Sequence, residues 1–275
     1  MTMTEYSIHE PALALSIAGS EATGGAGAQA DLKTFQELGA YGIIALTCIV
    51  AFDPNDDWNH RFTPVPAEVI ADQLEAIQAN YAGQLHRTKL GMMGSPETIH
   101  TVARALRSQQ WQHVVLDPVL ICKGQEPGHA LDTDEALKAE LLPLATFTTP
   151  NHFEAEQLSG LTISSVQDLQ EAAQIIHDHS GAAVLAKGGI RLEGDQAVDV
   201  FYDGTDMEVL STPKVGDHAV SGAGCSLAAA VTAELAKGAS PREAAYTAKE
   251  FVTRGIAQRV SAKTPFDTLW QGGLR

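Results

Sequence analysis

Positive charge is scarce in this sequence: 18 Lys and Arg stand against 34 Asp and Glu, a formal charge of −16. Nucleic acid and anionic membrane surfaces reward clustered cations, so neither is an expected partner. A nucleotide ligand stays open, because backbone donors, a few cations and Mg²⁺ hold phosphate even on an acidic protein. Long hydrophobic runs are missing as well. No stretch of about 18 apolar residues occurs, and residues 1–10 carry no basic segment leading into an apolar core, so a cytoplasmic protein is expected. Cysteine is limited to Cys48, Cys122 and Cys225, odd in number and far apart, which supports neither a disulfide framework nor a zinc site. Any functional cysteine acts as a thiol. A P-loop is absent, and so is the protein-kinase set of Gly-rich loop, strand lysine and H-R-D. With no repeat, low-complexity tract or linker, and 44% hydrophobic residues to bury, the 275 residues are expected to form a single domain.

What is present is alternation. Segments 13–18, 42–50, 88–92, 113–119, 145–149 and 182–186 have the composition of short buried strands. Helical patterns fall over the residues after the first glycine cluster to Leu38, and over 67–81, 95–108, 134–142, 153–159 and 165–179. Repeated βα units predict an α/β fold with a mostly parallel sheet covered by helices on both faces. Segments 198–202 and 208–211, separated by Asp203-Gly204, predict an edge hairpin, and helices over 222–237 and 241–258 close the chain. Two stretches resist the pattern, 52–64 and 120–128. Both follow strand ends, where parallel sheets bind ligands, so both are candidate lid elements.

Two glycine clusters stand before helices. Residues 221–226, Ser-Gly-Ala-Gly-Cys-Ser, run into a strong helix former, and glycines there let the chain turn and leave the first amides of the helix facing whatever lies in front. That suits phosphate or developing phosphoryl charge; a glycine cap on a buried helix is the plain alternative. Residues 24–30, Gly-Gly-Ala-Gly-Ala-Gln-Ala, contain the G-x-G-x-x-A dinucleotide pattern. A nicotinamide-dependent oxidoreductase is therefore a rival reading. Its ribose-binding acid belongs at the end of the second strand roughly 20 residues on, whereas Asp53 lies later, in an Asp-Pro-Asn turn.

Residues 18–34 (AGSEATGGAGAQADLKT), 116–119 (LDPV), 149–155 (TPNHFEA) and 222–225 (GAGC) closely resemble, in the same order and over nearly the whole chain, the hydroxymethylpyrimidine kinases and thiamin-kinase-like pyridoxal kinases. Residues 53–60 (DPNDDWNH) and Cys122-Lys123-Gly124 resemble the two-cysteine pyridoxal kinase branch. The resemblance implies a ribokinase-like fold with a small lid, ATP and Mg²⁺ as cofactors, and transfer of the γ-phosphoryl to a hydroxymethyl group on a vitamin B6 ring. A homodimer is implied too. The neighbouring reading is a hydroxymethylpyrimidine kinase of thiamin biosynthesis; a catalytically silent ligand sensor on the same fold is a further one.

The resemblance also implies roles. Cys225 stands where ribokinase relatives carry an aspartate base, and a helix N-terminus lowers a thiol's pKa. Cys122, on the second lid element, is placed to add to the aldehyde of a pyridoxal-type substrate. Ser20, Glu21, Ala26, Asp31, Val50, Phe52 and His60 are expected around the vitamin ring. Asn151, Lys187, Gly188, Ser221, Gly222, Ala223 and Gly224 are expected at ATP and its phosphates, with Asp117 and Glu154 at Mg²⁺. Plain structural alternatives exist for several: Cys225 as a small buried hydrophobe, Glu154 and Asp31 as helix acids, Lys187 as an exposed strand-end lysine, His60 as a surface histidine. Three positions depart from the family pattern: Glu21 replaces Asp, Ser221 replaces His, and Phe52 replaces the glutamine of many pyrimidine kinases. Without that amide, hydrogen bonding to pyrimidine nitrogens is lost.

Overall fold

The computed structural model describes residues 10–120 and 127–273. In chain order the elements are β1 (Ala12–Glu21), α1 (Gly27–Glu37), β2 (Ala40–Phe52), β3 (His60–Pro64), α2 (Ala67–Asn80), β4 (Arg87–Leu90), α3 (Pro96–Arg107), β5 (His113–Leu116) and α4 (Pro127–Ala136). There follow β6 (Phe147–Thr148), α5 (His152–Ser159), α6 (Val166–Ser180), β7 (Ala183–Gly189), β8 (Gln196–Tyr202), β9 (Met207–Pro213), α7 (Ala223–Ala236) and α8 (Pro241–Ala257). The strands form one nine-stranded sheet in the order β3-β2-β1-β4-β5-β6-β7-β8-β9. Pairing is parallel from β2 through β7 and antiparallel at the two edges, where β3 joins β2 and β8-β9 follow β7.

Period-two alternation assigns the two faces. Ala183 and Leu185 of β7 join the cluster under α7 and α8, while Val184 and Ala186 join the one under α5 and α6. On β1, Ala14 packs against α1 and α7, whereas Leu15 and Ile17 pack against α2 and α3. Because both faces are covered, the parallel strands lack polar alternation, as buried sheets require. Parallel strands also bring their carboxyl ends to one edge, along with the N-termini of the helices that follow them. That edge carries the site.

The structure revises several sequence expectations. Residues 52–64 are a hairpin: β2 continues to Phe52 and returns as β3, with Phe52 opposite His60. The Asp53 side chain accepts the Asn55 amide at 2.9 Å, and Asp57 and Trp58 take left-handed φ values of 44° and 60°, so the turn is closed without the glycine that marks most hairpins. The helix expected at 134–142 divides: α4 ends at Ala136, a π-helical turn spans Leu137–Leu141, and a 3-10 turn spans Leu142–Leu144, where Pro143 interrupts. Strand β1 runs on to Glu21, through a register shift near Ser20. Among the described residues, no helix is long and apolar enough to cross a membrane.

Candidate active site

The first glycine cluster is held from within. The Glu21 carboxylate, at the end of β1 and almost fully buried, accepts the Thr23 amide at 2.6 Å, the Thr23 hydroxyl at 2.7 Å, and the Gly25 and Ala26 amides at 3.0 and 3.3 Å. Gln29 clamps the same turn, donating to Ser20 Oγ at 2.7 Å and accepting from the Glu21 amide at 3.0 Å. These are the amides a dinucleotide's pyrophosphate would need. A carboxylate already occupies them, which overturns the oxidoreductase reading. Glu21, expected at the vitamin ring, is thus also the acceptor that shapes this loop.

Glycine at 222 is required by geometry. Its φ is 79°, and a Cβ there would stand 1.8 Å from the Gly25 carbonyl oxygen. The two glycine turns therefore touch, and α7 begins directly against the start of α1. Across this junction the Gly27 amide donates to Cys225 Sγ at 3.4 Å. Cys225 is half-buried, and burial pushes its thiol up to about 11, with Lys89 opposing. This corrects the expected lowering: desolvation of the thiolate outweighs the helix N-terminus.

Lys89 was not singled out from the sequence, and it explains Asp31. Both are fully buried; Lys89 Nζ lies 3.1 and 2.9 Å from the Asp31 carboxylate oxygens, and Ser16 Oγ donates to Asp31 at 2.5 Å. Burial opposes the Lys89 charge, but Asp31, Cys225 and Asp117 together more than offset it, holding the ammonium protonated. Asp31, expected near the substrate hydroxyl, is thus also the partner of a buried ammonium. The available sequence signal was a lysine inside an apolar strand, but its partner lies 58 residues away.

A second cluster lies after β5, β6 and β7. Asp117 follows β5, accepts from Thr149 at 3.4 Å, and sits 3.5 Å from Lys187 Nζ. Asn151 caps α5 by accepting the Glu154 amide at 3.1 Å, and Glu154 returns the bond by accepting the Asn151 amide at 2.7 Å. Burial pushes the Glu154 carboxyl up to about 7, with Lys187 opposing and Asp117 adding to the rise. Two buried carboxylates thus share the Lys187 ammonium, with Lys89 also acting on Asp117. This oxygen-donor set, short of positive charge, fits Mg²⁺. Among the described residues no group of three or more His, Cys, Asp or Glu is arranged around a metal position, so phosphate oxygens and water would complete the coordination.

Lys187, Gly188, Asn151, Glu154, Ala223 and Gly224 line one cleft of about 1310 Å³. Ser221 ties the start of α7 to the C-terminal segment, its amide donating to the Asp267 carbonyl at 2.9 Å and its carbonyl accepting from Leu269 at 3.0 Å. The far walls come from Val215, Val252, Ile256 and Phe266, which sequence reasoning missed because apolar residues without a motif carry no chemical signal. At the flap, Val50 is buried, and Phe52 packs edge-on to His60 at 4.7 Å and against Phe266 at 5.1 Å. The structure thus joins Phe52, His60 and the C-terminal segment. Cys122, Lys123 and Gly124 lie outside the described residues.

Residues 21–269 match the model of the phosphomethylpyrimidine kinase family. The chain is 47% identical to the pyridoxine kinase of Bacillus subtilis over 89% of this chain and 90% of that one. The structure of the pyridoxal kinase from Staphylococcus aureus in complex with AMP-PCP and pyridoxal superposes with a TM-score of 0.88 at 40% identity, covering 97% of this chain and 95% of that one. The hydroxymethylpyrimidine/phosphomethylpyrimidine kinase of Haemophilus influenzae is 38% identical, over 88% of this chain and 90% of that one. A ribokinase-like sheet, two opposed glycine turns and a match over most of the sequence agree: the chain belongs to the phosphomethylpyrimidine kinase family.

Proposed function

We propose that this protein transfers the γ-phosphoryl group of ATP to the 5′-hydroxymethyl group of pyridoxal, pyridoxine or pyridoxamine. The observation that carries the reading is the contact between the Gly25 and Gly222 turns, which sets the Cys225 thiol between the turn after β1 and the cleft that contains Lys187. Similarity is greater to the B6-vitamer kinases than to the pyrimidine kinase, and Phe52 lacks the amide that a pyrimidine would engage.

The chain's own residues supply three functions. The substrate hydroxyl oxygen bonds to the γ-phosphorus as the bond to the β-phosphate oxygen breaks and ADP leaves, and the hydroxyl proton passes to the thiolate form of Cys225. In a loose phosphoryl-transfer transition state that proton moves late. The Gly224 and Cys225 amides precede the Ser226 amide, which donates to the Gly222 carbonyl at 2.9 Å, and at this helix start they suit the charge on the transferring oxygens. Lys187 balances phosphate charge from the other side. Asp117 and Glu154 would hold Mg²⁺, which when bound supplies neutralisation of the β- and γ-phosphates.

Cys122 is assigned to the aldehyde of pyridoxal: its sulfur bonds to the carbonyl carbon, the thiol proton passes to the oxygen, and the reversal releases product. Free thiols in the active site fit the reducing cytoplasm. A homodimer is the expected assembly, to be checked by light scattering on the eluting protein. ADP release with Mg-ATP and pyridoxal, pyridoxine or hydroxymethylpyrimidine tests the reading. Higher kcat/KM with the B6 vitamers supports it; higher kcat/KM with the pyrimidine transfers the chain to thiamin synthesis.

A further inference from the structure

A thiol pushed up by burial makes a poor proton acceptor unless something in the fold favours its anion. On β4, Thr88 and Leu90 lie on one side of the strand, Leu90 within the α2-α3 cluster, so Lys89 projects to the opposite face. That face is covered by α1 and α7, and α7 packs across β4 with Cys225 in its first turn. A Cβ on Gly91 would lie 2.9 Å from Lys89 Nζ, so the missing side chain leaves the ammonium its place. Asp31, one turn beyond Gly27 on α1, fixes it there, while Gly27 itself donates to Cys225.

We propose that Lys89, oriented by Asp31 and Ser16, is the positioning residue that stabilises the anionic form of Cys225 and so sets how readily this thiol accepts the hydroxyl proton. The inference rests on the reading of Cys225 as base. The groups facing the thiol are Lys89 from β4, Asp31 and the Gly27 amide from α1, Asp117 after β5, and Lys187 from β7. Lys89 is the leading influence in favour of the thiolate, and Asp31 and Asp117 act against it. The carboxylate that holds the ammonium therefore also dilutes its effect. Opposite consequences follow from removing each partner, which a merely structural pair would not produce.

The test is the rate of iodoacetamide alkylation at Cys225, followed by peptide mass spectrometry on the folded, ligand-free chain at about pH 8. Below the thiol's pKa this rate tracks the thiolate fraction, tenfold per pH unit. Asp31→Asn is expected to speed alkylation at least about threefold. Lys89→Met is expected to slow it at least about threefold, and Lys89→Arg to restore part of the loss. The double variant K89M/D31N, which leaves no unpaired buried charge, is also expected to be slower than the parent and replaces K89M if that variant does not fold. Rates that rise in both D31N and the lysine-free variant indicate loosened packing and overturn the proposal; unchanged rates overturn it too. If Cys225→Ala keeps full turnover, the base reading fails by itself, while the alkylation comparison still decides what Lys89 does.

Discussion

The carbonyl oxygen of Gly25 stands 1.8 Å from where a Cβ on Gly222 would lie, so the start of α7 is seated directly on the turn that follows β1. Gly222→Ala is accordingly expected to push the two turns apart. The left-handed φ alone costs about 1–2 kcal/mol, and backbone displacement adds to it. Thermal unfolding should report a lower Tm, and turnover should fall further than stability explains, because Cys225 moves with α7.

Cys225→Ala should lower kcat by about 10²–10⁴, the usual contribution of a positioned acid or base. ATP affinity, read by calorimetry with Mg-ATP, should change little, since the cleft carrying Lys187 and Asn151 is untouched. Parallel loss of affinity and turnover would assign Cys225 to nucleotide binding.

Cys122→Ala separates substrates by their chemistry. Pyridoxal carries an aldehyde and pyridoxine does not. The kcat/KM for pyridoxal should fall about tenfold, equivalent to about 1.4 kcal/mol of transition-state stabilisation, with pyridoxine nearly unaffected. An equal fall with both would make the residue a general part of the lid.

The Glu154 carboxyl is raised from 4.5 to about 7, chiefly by burial. The folded state therefore binds this proton more tightly than the unfolded chain. Its stabilising contribution is fully present below pH 4.5 and is lost as pH rises to about 7, by the order of 3 kcal/mol. Glu154→Gln keeps a side chain able to complete the cap on α5 and removes the titration. In metal-free buffer, urea midpoints of the two proteins should coincide below about pH 4.5, separate between there and about 7, and stay apart above it, with the variant more stable. Added Mg²⁺ should narrow the gap by stabilising the carboxylate.

Phe52→Gln reintroduces the amide common in pyrimidine kinases and removes the packing on Phe266. The ratio of kcat/KM for hydroxymethylpyrimidine over pyridoxal should rise, by about tenfold for one well-formed hydrogen bond. A fall with both substrates and no change in ratio would make Phe52 a flap anchor only.

The sequence by itself determined the βα alternation, because buried parallel strands and amphipathic helices have distinct periods, and it marked the turns, because glycine, Asp-Pro and Asn-His-Phe-Glu carry local backbone chemistry. The plain reading of Glu154 as a first-turn helix acid was legible for that reason, and its pairing with the Asn151 cap lies within one helix start. Tertiary structure alone decided what distant groups do to one another. Lys89 meets Asp31 only when β4 lies beside β1 beneath α1, which gives Asp31 a buried ion-pair partner that no local pattern shows. Folding likewise directs the Glu21 oxygens to the loop amides that follow it. The Cys225 thiol was expected to be lowered by its helix and is raised instead, because a local sequence shows the helix N-terminus but not the water that folding removes from around the sulfur.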